Sequence, residues 1–472
     1  MAKVTFIQNV WFEYIGIASI SAFLKAHGHE TDIVLGDTDD VIKKIKESPT
    51  DLIGFPCMTI HQEWVIECAT KLKESGVVVP IIVGGPHPTF FPEMIEHPSV
   101  DIICRGEGEL PMKGLADALS SDNSINKIKN FWVKENGKIY KNELGNLVED
   151  IDSLPDPDRD LYRKNKYFRN EEYAQVLVSR GCPYQCSFCF NIQFNKLHKG
   201  HGKTVRHRSA DRVIKEIKEI KDKHGVGYIQ FIDSTFNLNK RWFLEFFEKY
   251  KDELDIPFTC NIRANLCDER TAKALADTGN CVSVRFGVES GNPRVRNEIL
   301  KKNISDEQLI EARRMYKKYN IPVITYNMFC VPTETIGEAW DTIYLNIKMQ
   351  VDSLSCYIFQ ILPGLEISRF ALDNGLVSEE VYNAHGRGLY GMNRSALKQK
   401  DINEVTNLHH FSVIAVKYPW TIPLVRVLIK FPPSRIFDMI FSISQGIEWL
   451  IWSRMGLIRM LKHAIKNYSK FS

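Results

Sequence analysis

Residues 179–191 read Ser-Arg-Gly-Cys-Pro-Tyr-Gln-Cys-Ser-Phe-Cys-Phe-Asn, and they place Cys182, Cys186 and Cys189 in a C-x₃-C-x₂-C spacing. The stretch directly follows a short apolar run at 175–179 that is typical of a buried strand. Three thiolates on one loop can each bind one iron of a [4Fe–4S] cluster and leave the fourth iron open. A zinc site usually needs a fourth ligand, and no second C-x₂-C or H-x₃-H partner is evident. Three unrelated buried thiols are the other alternative.

The cysteine stretch opens a series of strand-like runs with helical segments between them, from residue 173 to residue 377. The runs lie at 175–179, 228–232, 258–262, 282–286, 325–329 and 354–359. Six β-α units are too few for a complete eight-unit barrel, so the pattern predicts a partial (β/α)₆ barrel of the TIM type. In such barrels function lies at the carboxyl ends of the strands.

Residues 1–145 show the same alternation ahead of the cysteines. Runs rich in Val and Ile, each soon followed by Gly or Pro, lie at 4–7, 32–35, 52–55, 81–83 and 101–104. This pattern predicts an α/β domain with a doubly wound, Rossmann-like parallel sheet, whose ligands bind at the carboxyl ends of its strands. A hairpin around Asn136-Gly137 follows, and the proline-containing segment 146–172 is predicted to be a linker.

The cysteine motif and its position after the first barrel strand resemble those of the radical S-adenosylmethionine (SAM) enzymes. Residues 231–236, 260–265 and 286–291 are similar to the motifs of this family at the second, third and fourth strands. The resemblance implies that the three cysteines hold a [4Fe–4S] cluster and that the methionine end of SAM chelates the fourth iron. It also implies SAM contacts from Phe188, Asp233, Ser234, Arg263 and Glu289. Relatives often carry glycines after the fifth strand, where this chain has Cys-Val-Pro-Thr-Glu-Thr at 330–335.

Two glycine-containing loops of the N-terminal domain extend the resemblance to the cobalamin-binding (B12-binding) radical SAM family, over roughly residues 1–375. They lie at 84–89 and 105–109, after the fourth and fifth predicted strands. The resemblance implies a corrin ring laid across the strand ends, where glycines permit a close approach of the backbone. The expected contacts are Tyr14, Gly16, Met58, Thr59, Gly84, Gly85, Pro86, His87, Arg105, Gly106, Glu107, Gly108 and Glu109.

The D-x-H-x-x-G signature that supplies a histidine to cobalt in other cobalamin domains is absent. His87 stands between two prolines, and we expect it to pack or to hydrogen-bond at the corrin pocket rather than to bind cobalt. The resemblance then implies cobalt that is unligated or water-bound on this face, which favours accepting and donating a methyl group.

The resemblance implies a cobalamin-dependent radical SAM methyltransferase. Such an enzyme cleaves SAM to a 5′-deoxyadenosyl radical and methylates an unactivated carbon of a small metabolite or lipid-like substrate. It needs an electron donor such as flavodoxin or ferredoxin. The alternatives are a cyclase or rearrangement enzyme of the same family that transfers no methyl group, and a corrinoid-binding protein without catalysis.

Composition sets the remaining expectations. Lys+Arg 61 against Asp+Glu 58 leaves a net charge of +3, too balanced to indicate a nucleic-acid-binding protein. The chain has 11 cysteines, an odd number scattered along its length, which favours reduced thiols in the cytoplasm. Eight of them are expected to be core residues, although Cys330 or Cys356 could face the barrel cavity. No signal peptide and no apolar run of membrane-spanning length are evident in the sequence.

The C-terminal region, 378–472, is predicted to be mainly helical. Residues 411–472 contain nine Lys or Arg and two Asp or Glu, so this tail carries +7 and the remainder of the chain −4. The tail is expected to form a helical cap on the barrel. Its mixture of basic and aromatic residues also fits an amphipathic surface in peripheral contact with an anionic membrane, or one that admits a lipid-like substrate.

Overall fold

The computed structural model describes residues 1–121, 123–169, 171–384 and 393–453, and the chain divides into two compact units. The first unit comprises Met1–Glu172, Phe194–Arg208 and Glu219–Gly225. The second comprises Tyr173–Gln193, Ser209–Lys218 and the described residues from Val226 onward. The segment 146–172, which the sequence predicts to be a linker, lies within the first unit.

The first unit is built on a seven-stranded sheet in the order β2-β1-β3-β4-β5-β6-β7. Its strands are β1 (Lys3–Gln8), β2 (Glu30–Leu35), β3 (Leu52–Pro56), β4 (Ile81–Gly84), β5 (Ile102–Cys104), β6 (Phe131–Glu135) and β7 (Lys138–Lys141). The first five strands pair in parallel, and β6 and β7 add an antiparallel hairpin at one edge. The hairpin turns at Asn136 and Gly137, which both have positive φ, as a two-residue turn of this type requires.

Helices cover both faces of this sheet, because its strands are apolar on both sides. The helices are α1 (Ile15–Ala26), α2 (Thr38–Glu47), α3 (Gln62–Glu74), α4 (Pro86–Phe90), α5 (Glu109–Ser120) and α6 (Arg159–Arg163). One buried cluster joins Val4 and Phe6 of β1 to α1, α5 and α6, and a second joins Ile53 and Phe55 of β3 to α2 and α3. The predicted Rossmann-like, doubly wound fold is confirmed.

The second unit contains a six-stranded, all-parallel sheet in the order β15-β14-β13-β12-β11-β8. The strands that follow β7 are β8 (Tyr173–Val176), β9 (Ser179–Arg180), β10 (Arg206–His207, in the first unit), β11 (Tyr228–Phe231), β12 (Phe258–Asn261), β13 (Cys281–Glu289), β14 (Val323–Phe329) and β15 (Ser353–Ile358). All six predicted barrel strands are present, and the predicted partial (β/α)₆ barrel is confirmed.

The helices of this half of the chain are α7 (Asn191–Leu197), α8 (Ala210–His224), α9 (Lys240–Glu253), α10 (Glu269–Asp277), α11 (Asp306–Lys318), α12 (Ile336–Met349), α13 (Glu366–Asp373), α14 (Glu379–Asn383), α15 (Ile402–Lys417), α16 (Ile422–Leu428) and α17 (Arg435–Ser453). Three of them begin at reciprocal capping boxes formed by Asp268, Ser305 and Thr335, which satisfy the free N–H groups of the first turn. A π-helical turn, Arg294–Ile299, follows β13.

Alternate side chains of the barrel strands face the covering helices. Phe231 and Phe258 pack against the aromatic side chains of α9, and Thr325 and Asn327 both hydrogen-bond Asn346 of α12. Because side chains alternate along a strand, the residues between them face the concave side of the barrel.

The predicted helical C-terminal region is present as α14–α17, while residues 454–472 of the basic tail lie outside the described residues. Helix α15 is almost wholly buried and packs its side chains with those of α12, β14 and β15. Among the described residues, no helix is long and apolar enough to cross a membrane.

Two adjacent histidines of α15 make the stability of the second unit depend on pH. Burial lowers the pKa of His409 to about 3 and that of His410 to about 4, although Asp438, 3.2 Å from His410, acts to raise the latter. Both side chains are therefore neutral in the folded protein, whereas in the unfolded chain they take up protons near pH 6.5. Protonation thus favours the unfolded chain, and stability present above that pH is lost as the pH falls towards 4.

We expect the free energy of unfolding to fall by about 2 kcal/mol for each histidine between about pH 7.5 and about pH 5. Urea denaturation of the wild type and of His410→Asn at both pH values measures this dependence. The substitution removes one titrating group, so the variant should lose about half of the pH effect. An equal dependence in both proteins would contradict the assignment.

Candidate active site

The cysteine loop leaves the carboxyl end of the first barrel strand, as the sequence predicts. Cys182 and Cys186 are buried and Cys189 is partly buried. Gly181, immediately before Cys182, has φ +83°, so a residue without a Cβ is favoured at this turn. Burial raises the pKa of the Cys189 thiol, and Cys186 and Cys182 act in the same direction. The Cys189 N–H donates to the Cys186 carbonyl at 3.0 Å, which closes the turn between these two cysteines.

Asp233 fixes the chain that leads into this loop. Its fully buried carboxylate, at the carboxyl end of β11, accepts hydrogen bonds from the backbone N–H groups of Val178 (3.2 Å) and Ser179 (2.6 Å) and from the Ser179 hydroxyl (2.5 Å). Burial raises the pKa of Asp233 to about 6, and these donors act against the increase. Both carboxylate oxygens therefore already accept hydrogen bonds from the turn before Cys182.

Each cysteine sulfur has a polar partner from the barrel. Cys182 Sγ lies 3.6 Å from the hydroxyl of Thr235, the Asn191 amide donates to Cys189 Sγ at 3.4 Å, and Arg263 Nη1 lies 4.0 Å from Cys186 Sγ. Hydrogen bonds to cluster sulfurs are one of the means by which proteins set reduction potentials. Thr235 and Asn191 are site residues that sequence reasoning missed, although Thr235 stands within the quoted second-strand motif.

Arg263 and Glu289 both contact Lys302 at the cysteine end of the barrel. The Arg263 guanidinium stacks over the Tyr184 ring at 3.6 Å and donates to the carbonyl oxygen of Lys302, whose amine forms a 2.7 Å ion pair with Glu289. Glu289 has φ +63°, and a Cβ at Gly287 would overlap its carboxylate, so the motif needs glycine there. Lys302 was also missed, since it stands 13 residues beyond Glu289 and outside every quoted motif.

Phe188 and Ser234 occupy different positions around the loop. Phe188 packs against the apolar cluster that contains Val331, Phe359 and Leu365. Ser234 is exposed, with its Oγ 3.5 Å from the Asn191 amide.

The loop without glycines after β14 still adopts left-handed backbone conformations. Cys330 has φ +58° and Thr333 has φ +68°. Arg294 holds the loop by donating to the Thr333 hydroxyl and carbonyl, while the Gln399 side chain accepts from the Thr333 N–H. Cys330 lies 3.4 Å from Thr406 of α15, and Cys356 belongs to the same α15-facing cluster, so neither thiol serves the barrel cavity.

In the first unit, the order of the strands reverses between β1 and β3, which is the edge where ligands bind in doubly wound sheets. Tyr14 follows β1 and His61 follows β3, and the Tyr14 hydroxyl lies 3.1 Å from His61 Nδ1. Burial raises the pKa of Tyr14 and lowers that of His61 to about 4, so both groups are neutral near pH 7. His61 was missed by the sequence reasoning, which stopped at Met58 and Thr59 in the same loop.

His87 is buried and lies with its Nδ1 3.4 Å from the Thr59 hydroxyl and its ring 5.1 Å from Phe91. This environment suits the packing and hydrogen-bonding role that the sequence favours for His87. Pro86 begins α4 directly after Gly85.

The predicted corrin-contacting glycines fall into two groups. A Cβ at Gly85 (φ +103°) or Gly106 (φ +80°) would meet Cys57 or His198 at 3.0 Å or less, so the fold itself requires glycine at these two positions. A Cβ at Gly108 would meet Cδ1 of Ile20 at 2.7 Å, and that side chain would have to move. A Cβ at Gly16 would meet no atom within 4 Å, and one at Gly84 would meet only Cys104, at 3.6 Å. Gly16 and Gly84 therefore leave backbone open to a flat ligand.

The charged side chains of the loop after β5 are held in place by contacts with other residues of the first unit. Glu107 forms a two-pronged ion pair with buried Arg206, at 2.8 and 2.9 Å, and also accepts from the Val148 N–H. The Arg105 guanidinium lies over the Trp132 ring at 5.2 Å, and Glu109 is buried in the first turn of α5.

The cysteine loop of the second unit fits the [4Fe–4S] cluster that the sequence predicts, and the strand-end loops of the first unit fit the predicted cobalamin. Three cysteines on a loop at the strand edge, each with a polar partner for its sulfur, suit a cluster whose irons take separate thiolates. In the described part of the chain, no three His, Cys, Asp or Glu side chains are placed to share a single metal ion. The open backbone at Gly16 and Gly84, with neutral Tyr14 and His61 between β1 and β3, suits a large planar cofactor.

Comparison with known proteins assigns both halves of the chain. Residues 176–345 match the radical SAM superfamily model, and residues 12–116 match the B12 binding domain model. An uncharacterized methyltransferase of Pyrococcus horikoshii is 33% identical over 373 residues, which cover 77% of this chain and 79% of the relative. The anaerobic magnesium-protoporphyrin IX monomethyl ester cyclase of Rubrivivax gelatinosus is 28% identical, over 71% of this chain and 61% of that protein.

A solved structure shares the fold of almost the whole chain. The cobalamin-dependent S-adenosylmethionine radical enzyme OxsB, with aqua-cobalamin bound, matches with a TM-score of 0.70 and 17% identity. The match covers 99% of this chain and 72% of that structure.

The cysteine assignment makes a direct prediction. Cys186→Ala, reconstituted with iron and sulfide without oxygen, should lack the visible absorption of the cluster. It should also cleave SAM at least about 100-fold more slowly than the wild type, because one iron loses its thiolate.

The matched control is Cys68→Ala, which removes a buried thiol from α3 in the first unit and should retain the cluster. A Cys186→Ala protein with normal iron content and SAM cleavage would show that the cluster ligands are elsewhere.

Proposed function

Since the chain belongs to the cobalamin-binding radical SAM enzymes, which use a [4Fe–4S] cluster, SAM and cobalamin, we propose that it is a methyltransferase acting on an unactivated carbon. The observation that carries the proposal is the 33% identity to a methyltransferase over 77% of this chain. The substrate is proposed to be a small metabolite or a lipid-like molecule.

When bound, the cluster supplies an electron for the reductive cleavage of SAM, and cobalamin supplies a carrier for a methyl group. The role of the chain is to hold and orient these groups. Cys182, Cys186 and Cys189 are the proposed cluster ligands, with Asp233 fixing the approach to their loop. Arg263 and the Glu289–Lys302 ion pair present positive and negative charge beside the cysteines, complementary to the carboxylate and amino group of SAM.

On the cobalamin side, we propose that Gly16, Gly84, Tyr14 and Thr59 would hold the corrin and that His87 would not be a ligand to cobalt. The buried contact of His87 with Thr59 supports this view. We propose that the remaining predicted contacts shape the loops around the corrin; they are Met58, Pro86, Arg105, Gly106, Glu107, Gly108 and Glu109. Gly85 is proposed to act through the turn that its φ of +103° permits.

A second function has specific support. The similarity to a cyclase over 71% of this chain favours cyclisation or rearrangement without methyl transfer as the alternative. We also propose that a one-electron donor such as flavodoxin or ferredoxin reduces the cluster. A cytoplasmic location is proposed because every described cysteine is a free thiol.

Product analysis separates these functions. Anaerobically reconstituted holoenzyme with its substrate and a reductant should form S-adenosylhomocysteine and 5′-deoxyadenosine in about equal amounts, because each turnover uses one SAM for each purpose. Deoxyadenosine without S-adenosylhomocysteine would indicate cyclisation or rearrangement. The absence of both products would indicate a corrinoid-binding protein without catalysis.

We further propose that the C-terminal helices contact an anionic membrane. In the described part of the chain, ten of the sixteen exposed large hydrophobic residues lie between Tyr418 and Ile451. On α17 they recur at Ile436, Met439, Ile443, Ile447 and Ile451, a spacing that places them along one side of the helix.

The charge of this region favours anionic lipids as the partner. The two acidic residues of the region, Asp438 and Glu448, form ion pairs with Arg394 and Lys417. No acidic residue of α16 or α17 is then left to pair with the remaining basic residues, which can bind lipid headgroups. Residues 454–472, whose structure is not described, add five Lys or Arg and no acidic residue. Each basic residue near such a surface contributes about 1 kcal/mol to binding.

Vesicle co-sedimentation tests the contact. The wild type should sediment with phosphatidylglycerol-containing vesicles and much less with phosphatidylcholine alone. The double substitution of Ile443 and Ile447 to Glu should reduce the bound fraction about tenfold or more, because two apolar anchors become charged. Val78→Glu, at an exposed apolar position of the first unit, is the matched control and should bind normally. Wild-type protein that stays in the supernatant would refute the contact.

A further inference from the structure

The concave side of the barrel contains a half-buried arginine, Arg285, whose charge no described residue balances. Along β13, Val284, Phe286 and Val288 are buried beneath the covering helices, so Ser283, Arg285 and Gly287 point to the concave side. Arg285 Nε is fully buried and has no hydrogen-bond partner. Among the residues that the structure describes, the guanidinium makes neither a hydrogen bond nor an ion pair.

The buried arginines Arg296 and Arg313 of the second unit, by contrast, have partners within the chain. Arg296 donates to the carbonyl oxygens of Ile304 (2.8 Å) and Ser290 (2.9 Å) and pairs with Asp306. Arg313 donates to the Gln350 carbonyl and pairs with Asp352 at 3.1 Å. Arg285 itself is half-buried, but its Nε is fully buried without a partner among the described residues, and an unpaired buried donor is costly. The contrast with Arg296 and Arg313 indicates that a ligand from outside the chain completes its hydrogen bonds.

The surroundings of Arg285 are polar and supply hydrogen-bond donors. Asn261 is its register neighbour on β12, and the Tyr326 hydroxyl reaches Asn261 Oδ1 at 3.4 Å. The rings of Tyr326 and Tyr357 lie 6.4 Å apart on the two neighbouring strands. Desolvation above all raises the pKa of Tyr357 to about 12, and the charge of Arg285 acts to lower it. Half of Tyr357 is nevertheless reached by solvent, so this wall is open to a ligand.

The position of Arg285 separates it from the cysteine end of the barrel. Glu289 follows four residues later on β13, roughly 13 Å further along the strand. Arg263, at that end, is the residue proposed above to face the carboxylate of SAM, and the Lys302 amine there is paired with Glu289. A second anion is therefore expected deeper in the barrel.

We propose that Arg285 binds an oxyanion of the organic substrate, a carboxylate or a phosphate-type group, with Tyr326, Tyr357 and Asn261 as hydrogen-bond partners. The inference rests on the proposed function, since it assigns to that enzyme an anionic class of substrate. A guanidinium suits this task because its planar array of donors matches two oxygen atoms at once.

The first test uses stability, with Arg296 as the matched control. Arg285→Met in the holoenzyme should leave the unfolding temperature unchanged or raise it, because it removes an unbalanced charge. Arg296→Met should lower that temperature by about 5 °C or more, because it leaves buried acceptors unpaired. Equal losses in the two variants would show that Arg285 has a partner within the chain and would overturn the proposal.

The second test uses simple anions as probes. Benzoate and inorganic phosphate, each at constant ionic strength, should raise the unfolding temperature of the wild-type holoenzyme, whereas uncharged benzamide should not. At least one of the two anions should not raise the unfolding temperature of Arg285→Met, and the same anion should raise that of Arg285→Lys by part of the wild-type amount. No anion effect in the wild type, or an equal effect in Arg285→Met, overturns the proposal.

SAM binding distinguishes the two sources of a carboxylate. Equilibrium dialysis of labelled SAM should give similar dissociation constants for the wild type and Arg285→Met. A tenfold weaker affinity in the variant would assign Arg285 to the SAM carboxylate and overturn the substrate assignment. None of these measurements requires turnover. If product analysis shows that the enzyme transfers no methyl group, the proposed function is refuted, but the assignment of Arg285 to an anion-binding site is not.

Discussion

The buried carboxylate of Asp233 connects the two barrel strands on which the cysteine site depends. Burying an ionised carboxylate is costly, and here the cost is offset by three donors that belong to the segment between β8 and Cys182. The same carboxylate therefore ties the end of β11 to the end of β8 and sets the direction in which the cysteine loop leaves the sheet. Thr235, two residues further on, is thereby carried to the sulfur of Cys182.

Much of this architecture could be predicted because it depends on local sequence. The strands are short apolar runs with polar or glycine-containing ends, and parallel pairing brings those ends to one edge whatever the loops contain. The C-x₃-C-x₂-C spacing places three thiols on a single loop without any information from the remainder of the chain. The two halves were therefore predictable as fold classes, and the family comparisons confirm both.

The parts that escaped prediction depend on partners distant in sequence. Nothing near Lys302 indicates that it meets Glu289 or that its carbonyl faces Arg263, because the π-helical turn after β13 brings it there. Arg206 reaches Glu107 across 99 residues. The glycines show the same limit, since Gly85 and Gly106 resemble a ligand cradle in sequence while the structure shows that Cys57 and His198 occupy the space beside them.

The first unit is also discontinuous along the chain. Glu13, in the loop after β1, is buried against Arg159 and Arg163, and Leu161, Tyr162 and Phe168 complete a core that begins at Ala2. Further segments, Phe194–Arg208 and Glu219–Gly225, belong to the same unit although they follow the cysteine loop. During synthesis the N-terminal half therefore cannot close its core when its last sheet strand emerges from the ribosome. The core of the first unit needs Phe168, and the unit is complete only after the three cysteines have been translated. The cysteine thiols are therefore present on the nascent chain before either half has finished folding.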